Sequence, residues 1–151
     1  MKAMTESLGS GAAGRLLLAV IRLTRQTRQA SPSGLTPSQV SALAMLAQSQ
    51  PVRISDLAAA EGVALPVMTR LVVSLEELGL VDKATSQTDR RSVLVQLTSV
   101  GFQKLRDIYS ARAGQIADRM NRLSEAELET LQAALPVLEK LVAQGSESGR
   151  S

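Results

Sequence analysis

Cysteine and histidine are both absent from this 151-residue sequence. Without cysteine the chain cannot form a disulfide, offer a thiolate nucleophile or sense peroxide through a thiol. Without either residue it also lacks the usual ligands of zinc and other transition metals, and the base of a Ser-His-Asp triad. These absences exclude the common hydrolytic and zinc-dependent mechanisms, and we expect no cofactor and no metal site.

Aromatic residues are nearly absent, with one Phe, one Tyr and no Trp. Only Phe102 and Tyr109 could stack on a ligand, so aliphatic contacts should dominate any pocket. Apolar residues still make up 44% of the sequence, which is enough to bury one core. The apolar run at residues 16–21 is too short to span a membrane and no credible cleavage site follows it, so we expect a cytoplasmic protein.

Positive charge is spread unevenly along the chain. The formal net charge is +3, yet residues 1–49 carry five basic residues against one acid, residues 50–97 five against six, and residues 98–151 seven against seven. The middle third is therefore not basic. Any affinity for nucleic acid would depend on where individual arginines lie, and it should be strongly salt-dependent.

Residues 65–98 carry the most informative pattern, which is a helix followed by two strands. One buried helix face is predicted from the spacing of five apolar residues: Met68, Leu71, Val72, Leu75 and Leu78. Gly79 follows at a position that requires positive φ, and an extended segment then begins. Residues 93–97 alternate as a second strand after a polar loop at residues 84–92, so the sequence predicts a hairpin that projects as a wing.

A second, shorter helix is predicted just upstream, at residues 54–61. Ser55 is its expected N-cap, and Gly62 ends it. A short turn then leads to Pro66, which fits the first turn of the next helix because its missing N–H is not needed there. This spacing is typical of a helix-turn-helix, whose second helix faces base edges.

With its apolar stripe turned inward, that second helix leaves five residues outward as candidate DNA contacts: Pro66, Val67, Thr69, Arg70 and Ser74. The Arg70 guanidinium can donate two hydrogen bonds to the O6 and N7 of guanine, whereas Val67 and Thr69 offer weaker contacts such as one with a thymine methyl. A surface helix that happens to carry one arginine is the alternative interpretation.

The wing tip carries Asp89, Arg90 and Arg91. Two guanidinium groups on a projecting loop suit phosphate contact or insertion into a narrow minor groove, and the Asp89 carboxylate can orient the Arg91 side chain. A solvated charged turn is the alternative. Arg53, just before the first helix of the predicted motif, is a further arginine expected to face DNA.

An earlier helix opens with Thr36, Pro37 and Gln39, which form a capping box with proline in the first turn. Its N-terminal amides, with Thr36 and Ser38, are candidates for a phosphate contact. An ordinary cap without a role in binding is the alternative.

The remaining helices have the pattern of an association surface. Ser124 and Glu127 form a capping box, and leucines then recur at spacings of three and four. We predict four regions: an N-terminal dimerisation helix at 1–34, a winged helix-turn-helix at 35–98, C-terminal dimerisation helices at 99–144, and a disordered tail at 145–151. The fold class is mainly α with a small β-hairpin wing.

The segment VMTRLVVSLEELGLV, followed by DRR, a short strand and LTSVG, resembles the MarR (multiple antibiotic resistance regulator) family of bacterial winged-helix transcription factors. The resemblance implies a homodimer that binds a pseudo-palindrome in double-stranded DNA and represses transcription until a small-molecule effector binds. It places Pro66, Val67 and Arg70 on the recognition helix, Arg91 in the minor groove and Asp89 beside it. Apolar Leu65 and Val67 depart from the polar residues that are common there, so base preference cannot be transferred.

Two other classes are open at this point. A winged helix can serve as a protein-protein interaction module, for which a wing and recognition helix without arginine would be typical. An enzyme would need a converging set of acid, base or nucleophile residues. The carboxylates here have the spacing of helix-surface ion pairs, and the hydroxyl residues mostly mark caps and turns, so we expect no enzyme.

Overall fold

The structure is a computed structural model that describes residues 11–30, 32–86 and 92–148. Helices dominate it, as predicted, and a small antiparallel sheet accompanies them. The elements in chain order are α1 (Ala12–Ala30), α2 (Pro37–Gln48), β1 (Val52–Arg53), α3 (Ile54–Glu61), α4 (Leu65–Glu77), β2 (Val81–Thr85), β3 (Val93–Leu97), α5 (Ser99–Met120) and α6 (Glu125–Ser148).

The chain divides into two compact units, residues 1–113 and residues 114–151. In the first unit, one face each of α2, α3 and α4 packs together with the sheet and the start of α5. Burying these aliphatic side chains supplies the main stabilisation of the unit. The largest fully buried side chains are Leu43, Leu46, Leu57, Met68, Leu75, Val72, Val81 and Val95.

The sheet has three strands in the order β1-β3-β2, all antiparallel. Val81 pairs with Leu97 and Thr85 with Val93, which forms the predicted hairpin. The two-residue strand β1 pairs Val52 with Val95 and was not predicted. Two residues are too few to show any periodicity, so only the partner strand reveals this one.

Two predicted capping boxes are present. At α2, the Gln39 N–H donates to Thr36 Oγ1 at 3.2 Å, and the Thr36 N–H donates to Gln39 Oε1 at 2.8 Å. At α6, the Glu127 N–H donates to Ser124 Oγ at 3.3 Å, and the Ser124 N–H donates to Glu127 Oε2 at 2.9 Å. The Ser124 amide, followed by the Ser124 hydroxyl, lowers the pKa of the Glu127 carboxyl. These bonds fix where each helix begins.

Some predicted boundaries were wrong. Arg53, not Ser55, is the N-cap residue of α3 and makes no side-chain cap bond. Pairing with β3 holds Arg53 extended, so the N-cap lies two residues before Ser55, the capping residue that the sequence offers. Helix α6 continues to Ser148, past the predicted end at 144, because helical backbone bonds extend through Gly145. Strand β2 likewise reaches Thr85, inside the predicted loop.

No single helix among the described residues is long and apolar enough to cross a membrane, and only the bent pair of α3 and α4 reaches the required length and composition together.

Candidate nucleic-acid interface

Helices α3 and α4 form the predicted helix-turn-helix. Gly62 ends α3 with φ of 67°, and its N–H donates to the Ala58 and Ala59 carbonyls. The chain then turns by 112° and Pro66 lies in the first turn of α4. An angle of this size is typical of the motif, in which the second helix protrudes from the domain.

The two faces of α4 differ as predicted over most of its length. Met68, Val72 and Leu75 are buried in the core, and Leu71 packs against it. Leu78, also predicted to face inward, is 54% exposed, because it is the C-cap residue and the chain leaves the helix there. The exposed face holds Pro66, Val67, Thr69 and Arg70. The Arg70 Nε donates to the Pro66 carbonyl at 3.4 Å, which leaves the terminal guanidinium nitrogens for an outside acceptor.

Ser74, also predicted to face outward, is half-buried and turned toward α2. Its hydroxyl accepts a hydrogen bond from Gln39 Nε2 at 3.0 Å and donates to the Leu71 carbonyl at 2.7 Å. Gln39 therefore belongs to the capping box of α2 and also holds the middle of α4. The sequence shows the capping box, but nothing in it reports the bond to Ser74, which joins residues 35 positions apart.

Thr36 and Ser38 are both exposed at the N-terminus of α2. The Thr36 hydroxyl already accepts the Gln39 N–H, so the capping role that the sequence offered as one alternative is present.

A cleft lies between the start of α3, the start of α4 and the base of the wing. Its volume is about 240 Å³. The exposed Arg53 side chain and the Thr69 hydroxyl line it, together with two serines that sequence reasoning did not select. The lining residues are Arg53, Ile54, Ser55, Leu65, Thr69, Ser92 and Val93. The Arg53 guanidinium and the Ser55 hydroxyl offer donors suited to a phosphate oxygen.

The wing hairpin is described up to its base, where the Ser86 N–H donates to the Ser92 carbonyl at 3.0 Å. Lys83 on β2 forms an ion pair with Glu76 on α4 at 2.6 Å. The predicted tip residues Asp89, Arg90 and Arg91 lie outside the described residues.

A second cavity, of about 490 Å³, lies between α1, the loop before α2 and the middle of α5. Arg25, Arg28 and Arg112 line it, together with apolar Leu35 and Pro37. The Nε of Arg112 is buried and makes no hydrogen bond within the described part of the chain. Buried donors are normally paired, so this one is suited to an anionic ligand. Sequence reasoning did not select Arg112.

Acidic side chains in the described ranges form no group of three or more that could hold a metal ion.

Comparison with known proteins agrees with this geometry. The sequence model of the MarR family matches residues 35–93. The HTH-type transcriptional regulator MT0903.1 of Mycobacterium tuberculosis is 37% identical over 131 residues, which cover 86% of this chain and 92% of that protein. The crystal structure of RV1404 from Mycobacterium tuberculosis is 27% identical with a TM-score of 0.69, covering 94% of this chain and 93% of that one.

A mutant of MepR from S. aureus, solved bound to an oligodeoxyribonucleotide, has the same fold. Its TM-score is 0.66 at 20% identity, covering 87% of this chain and 98% of that one. The resemblance inferred from the motifs of α4 and the wing is thus confirmed by the family match, by a relative that extends over nearly the whole chain and by the shared architecture. The chain belongs to the MarR family.

Proposed function

We propose that this chain is a cytoplasmic transcriptional regulator that binds a pseudo-palindromic operator in double-stranded DNA as a homodimer and represses transcription there. The exposed face of α4 is the observation that carries the proposal, because its arginine and small side chains protrude from a helix-turn-helix. The DNA-bound MepR structure supports DNA as the ligand. The family consists of regulators, which argues against an enzyme.

In the proposed complex α4 lies in the major groove and Arg70 donates to the edge of a guanine. Arg53, with the Ser55 hydroxyl of the cleft, holds a backbone phosphate. Thr36 and Ser38 at the N-terminus of α2 contact a second phosphate. Arg90 and Arg91 extend from the wing, with Asp89 supporting Arg91.

Dimerisation is supported by apolar side chains that each unit leaves in water. On α1, Leu17, Val20 and Ile21 are each more than half exposed. On α6, Val137 and Leu141 are also more than half exposed. Rows of this kind on amphipathic helices need a partner, and a second copy of the chain provides one by symmetry.

The cavity lined by arginines supports an effector that is anionic and partly apolar. Arg112 supplies a buried donor without a partner among the described residues, and Leu35 and Pro37 supply apolar contact. Benzoate and benzamide have almost the same shape but differ in charge, so they form a matched pair of probes. Benzoate should bind and benzamide should not, and Arg112→Ala should abolish the difference in calorimetric titrations.

The test of the main proposal is selection of random duplex DNA by the purified protein. We expect enrichment of an inverted repeat with half-sites about one helical turn apart. Arg70→Ala should weaken binding to the selected duplex by about tenfold or more. Arg106→Ala, which removes an exposed arginine from α5, is the control. Selection that enriches no sequence would contradict the proposal and favour a protein-protein interaction module.

A further inference from the structure

The N-terminal end of α4 and the turn before it expose an unusual amount of apolar surface. Val63 is 38% exposed, Leu65 50% and Val67 46%. None of the three belongs to the buried core or to the partly buried residues packed against it. The residue preceding α4 is Ala64, which offers no side-chain cap. Four apolar residues and Pro66 thus occupy the place where polar capping residues are usual.

The polar side chains on the next turn of α4 add few free hydrogen-bond donors to this apolar surface. The Thr69 hydroxyl donates back to the Leu65 carbonyl at 2.9 Å, so its donor is already used. The Arg70 Nε is bonded to the Pro66 carbonyl. Only the terminal nitrogens of Arg70 are left as side-chain donors on these turns, since Val67 has none.

Positive charge flanks this apolar surface on both sides. Arg53 lines the same cleft as Leu65, and Arg70 follows Val67 by about one turn. An apolar strip between two guanidinium groups is complementary to a groove of DNA, where phosphates border the exposed edges of the bases. Among those edges in the major groove, the C5-methyl of thymine is the apolar group.

We propose that Leu65 and Val67 recognise thymine methyl groups in the operator, so that T·A pairs rather than hydrogen-bonding patterns determine specificity at the N-terminal end of α4. This inference rests on the proposed function and adds the base preference that the family resemblance could not supply. Cytosine is disfavoured at these positions because it lacks the C5-methyl group that the two side chains contact.

The experiment replaces thymine with deoxyuridine, which differs only by the missing methyl group. Each thymine of a duplex recovered by the selection above is replaced in turn, on both strands, and the dissociation constant is measured. At one or two positions in each half-site, wild-type protein should lose about fourfold in affinity for each contacted methyl removed. The other positions should be unaffected.

Variants assign these methyl contacts to side chains. In Leu65→Ala and Val67→Ala, the duplexes with thymine and with deoxyuridine should bind equally at the position that each side chain contacts. Leu78→Ala is the matched control: Leu78 is 54% exposed at the other end of α4 and undergoes the same truncation. This variant should retain every deoxyuridine penalty of the wild type.

The outcomes separate this inference from the proposal on which it rests. Tight binding of the selected duplex that tolerates deoxyuridine at every position would overturn methyl recognition and leave the regulator function standing. Penalties that persist unchanged in both Leu65→Ala and Val67→Ala would overturn the assignment to these residues. A selection that enriches no duplex would overturn the proposed function and this inference together.

Discussion

At the scale of single residues, Ser74 shows how one hydrogen bond decides what a side chain can contact. It accepts a bond from Gln39 and donates to the Leu71 carbonyl, so it holds α4 against α2. Ser74→Ala should therefore lower the free energy of unfolding by about 1 kcal/mol in urea titrations. Affinity for the selected duplex should change less than threefold.

Ser38→Ala provides the comparison, because Ser38 is exposed on α2 and the loss of its hydroxyl should leave stability unchanged. A Ser74→Ala variant with normal stability and much weaker DNA binding would show instead that the hydroxyl contacts DNA.

Glu127 gives a second prediction at this scale, which concerns pH. Its carboxylate accepts bonds from the Ser124 amide and hydroxyl, and its pKa lies below the ordinary 4.5. A lowered pKa in the folded state means that the cap stabilises α6 above the ordinary value and is lost as pH falls through the lowered one.

In an NMR titration of the Glu127 carboxyl carbon, Ser124→Ala should therefore raise the pKa toward 4.5. Thr130→Ala removes a hydroxyl that donates to the Ala126 carbonyl rather than to Glu127, so it should leave the titration unchanged. Because alanine keeps the Ser124 amide, a Ser124→Ala variant with the wild-type curve would exclude the hydroxyl, but not the amide, as a cause of the lowered pKa.

At the scale of elements, the close approach between α5 and the start of β2 depends on one glycine. A Cβ on Gly101 would lie 2.0 Å from the Leu80 carbonyl oxygen, which is a backbone atom and cannot swing away. Thr98 fixes this corner, because its hydroxyl donates to the Gly79 carbonyl at 2.6 Å. Gly101→Ala should thus destabilise the fold by about 1–3 kcal/mol.

Gly114→Ala is the matched control in the same helix. A Cβ there meets nothing within 4 Å, so alanine should stabilise α5 by about 0.5–1 kcal/mol. Thermal unfolding of the two variants should shift in opposite directions. Stabilisation of both variants would show that helix propensity, not the contact with Leu80, determines the effect at Gly101.

The same scale shows why the sequence predicted some elements and missed others. The helix ends at Gly62 and Gly79 could be predicted because glycine adopts positive φ more readily than other residues, and both glycines have positive φ. The buried face of α4 could be predicted because the helical spacing of apolar residues continues along the whole helix. Strand β1 and the role of Arg53 as N-cap depend on pairing with β3, which is distant in sequence. The pairing of Arg53 with β3 therefore determines where α3 begins, rather than the capping preference of Ser55.

The candidate site divides in the same way. Residues whose exposure follows from the helical stripe, such as Val67 and Arg70, were placed correctly on the open face of α4. Ser74 was placed there wrongly. Helical periodicity predicts the direction of a side chain, but it does not show that Gln39 of α2 lies within hydrogen-bond distance of Ser74. Arg112 and Ser92 were not selected from the sequence, because each lies far along the chain from most of the residues that line its cavity.

At the scale of the whole molecule, the net charge of +3 is too small and too dispersed to account for DNA binding by itself. The proposal instead requires a few arginines at defined places, and salt dependence can distinguish these two cases. Each phosphate contact contributes about 0.9 to the slope of log affinity against log salt concentration. Arg53→Ala should therefore reduce the slope by about 1.8 in a dimer that loses two contacts.

Arg22→Ala removes the same charge from the exposed surface of α1 and should leave the slope unchanged. If affinity came from the overall field of the molecule, the two variants would flatten the slope equally, because each removes one positive charge per chain. A smaller slope for Arg53→Ala and an unchanged slope for Arg22→Ala would show that the position of an arginine determines its contribution to DNA affinity. Only then can a winged-helix segment that carries more acidic than basic residues hold a polyanion.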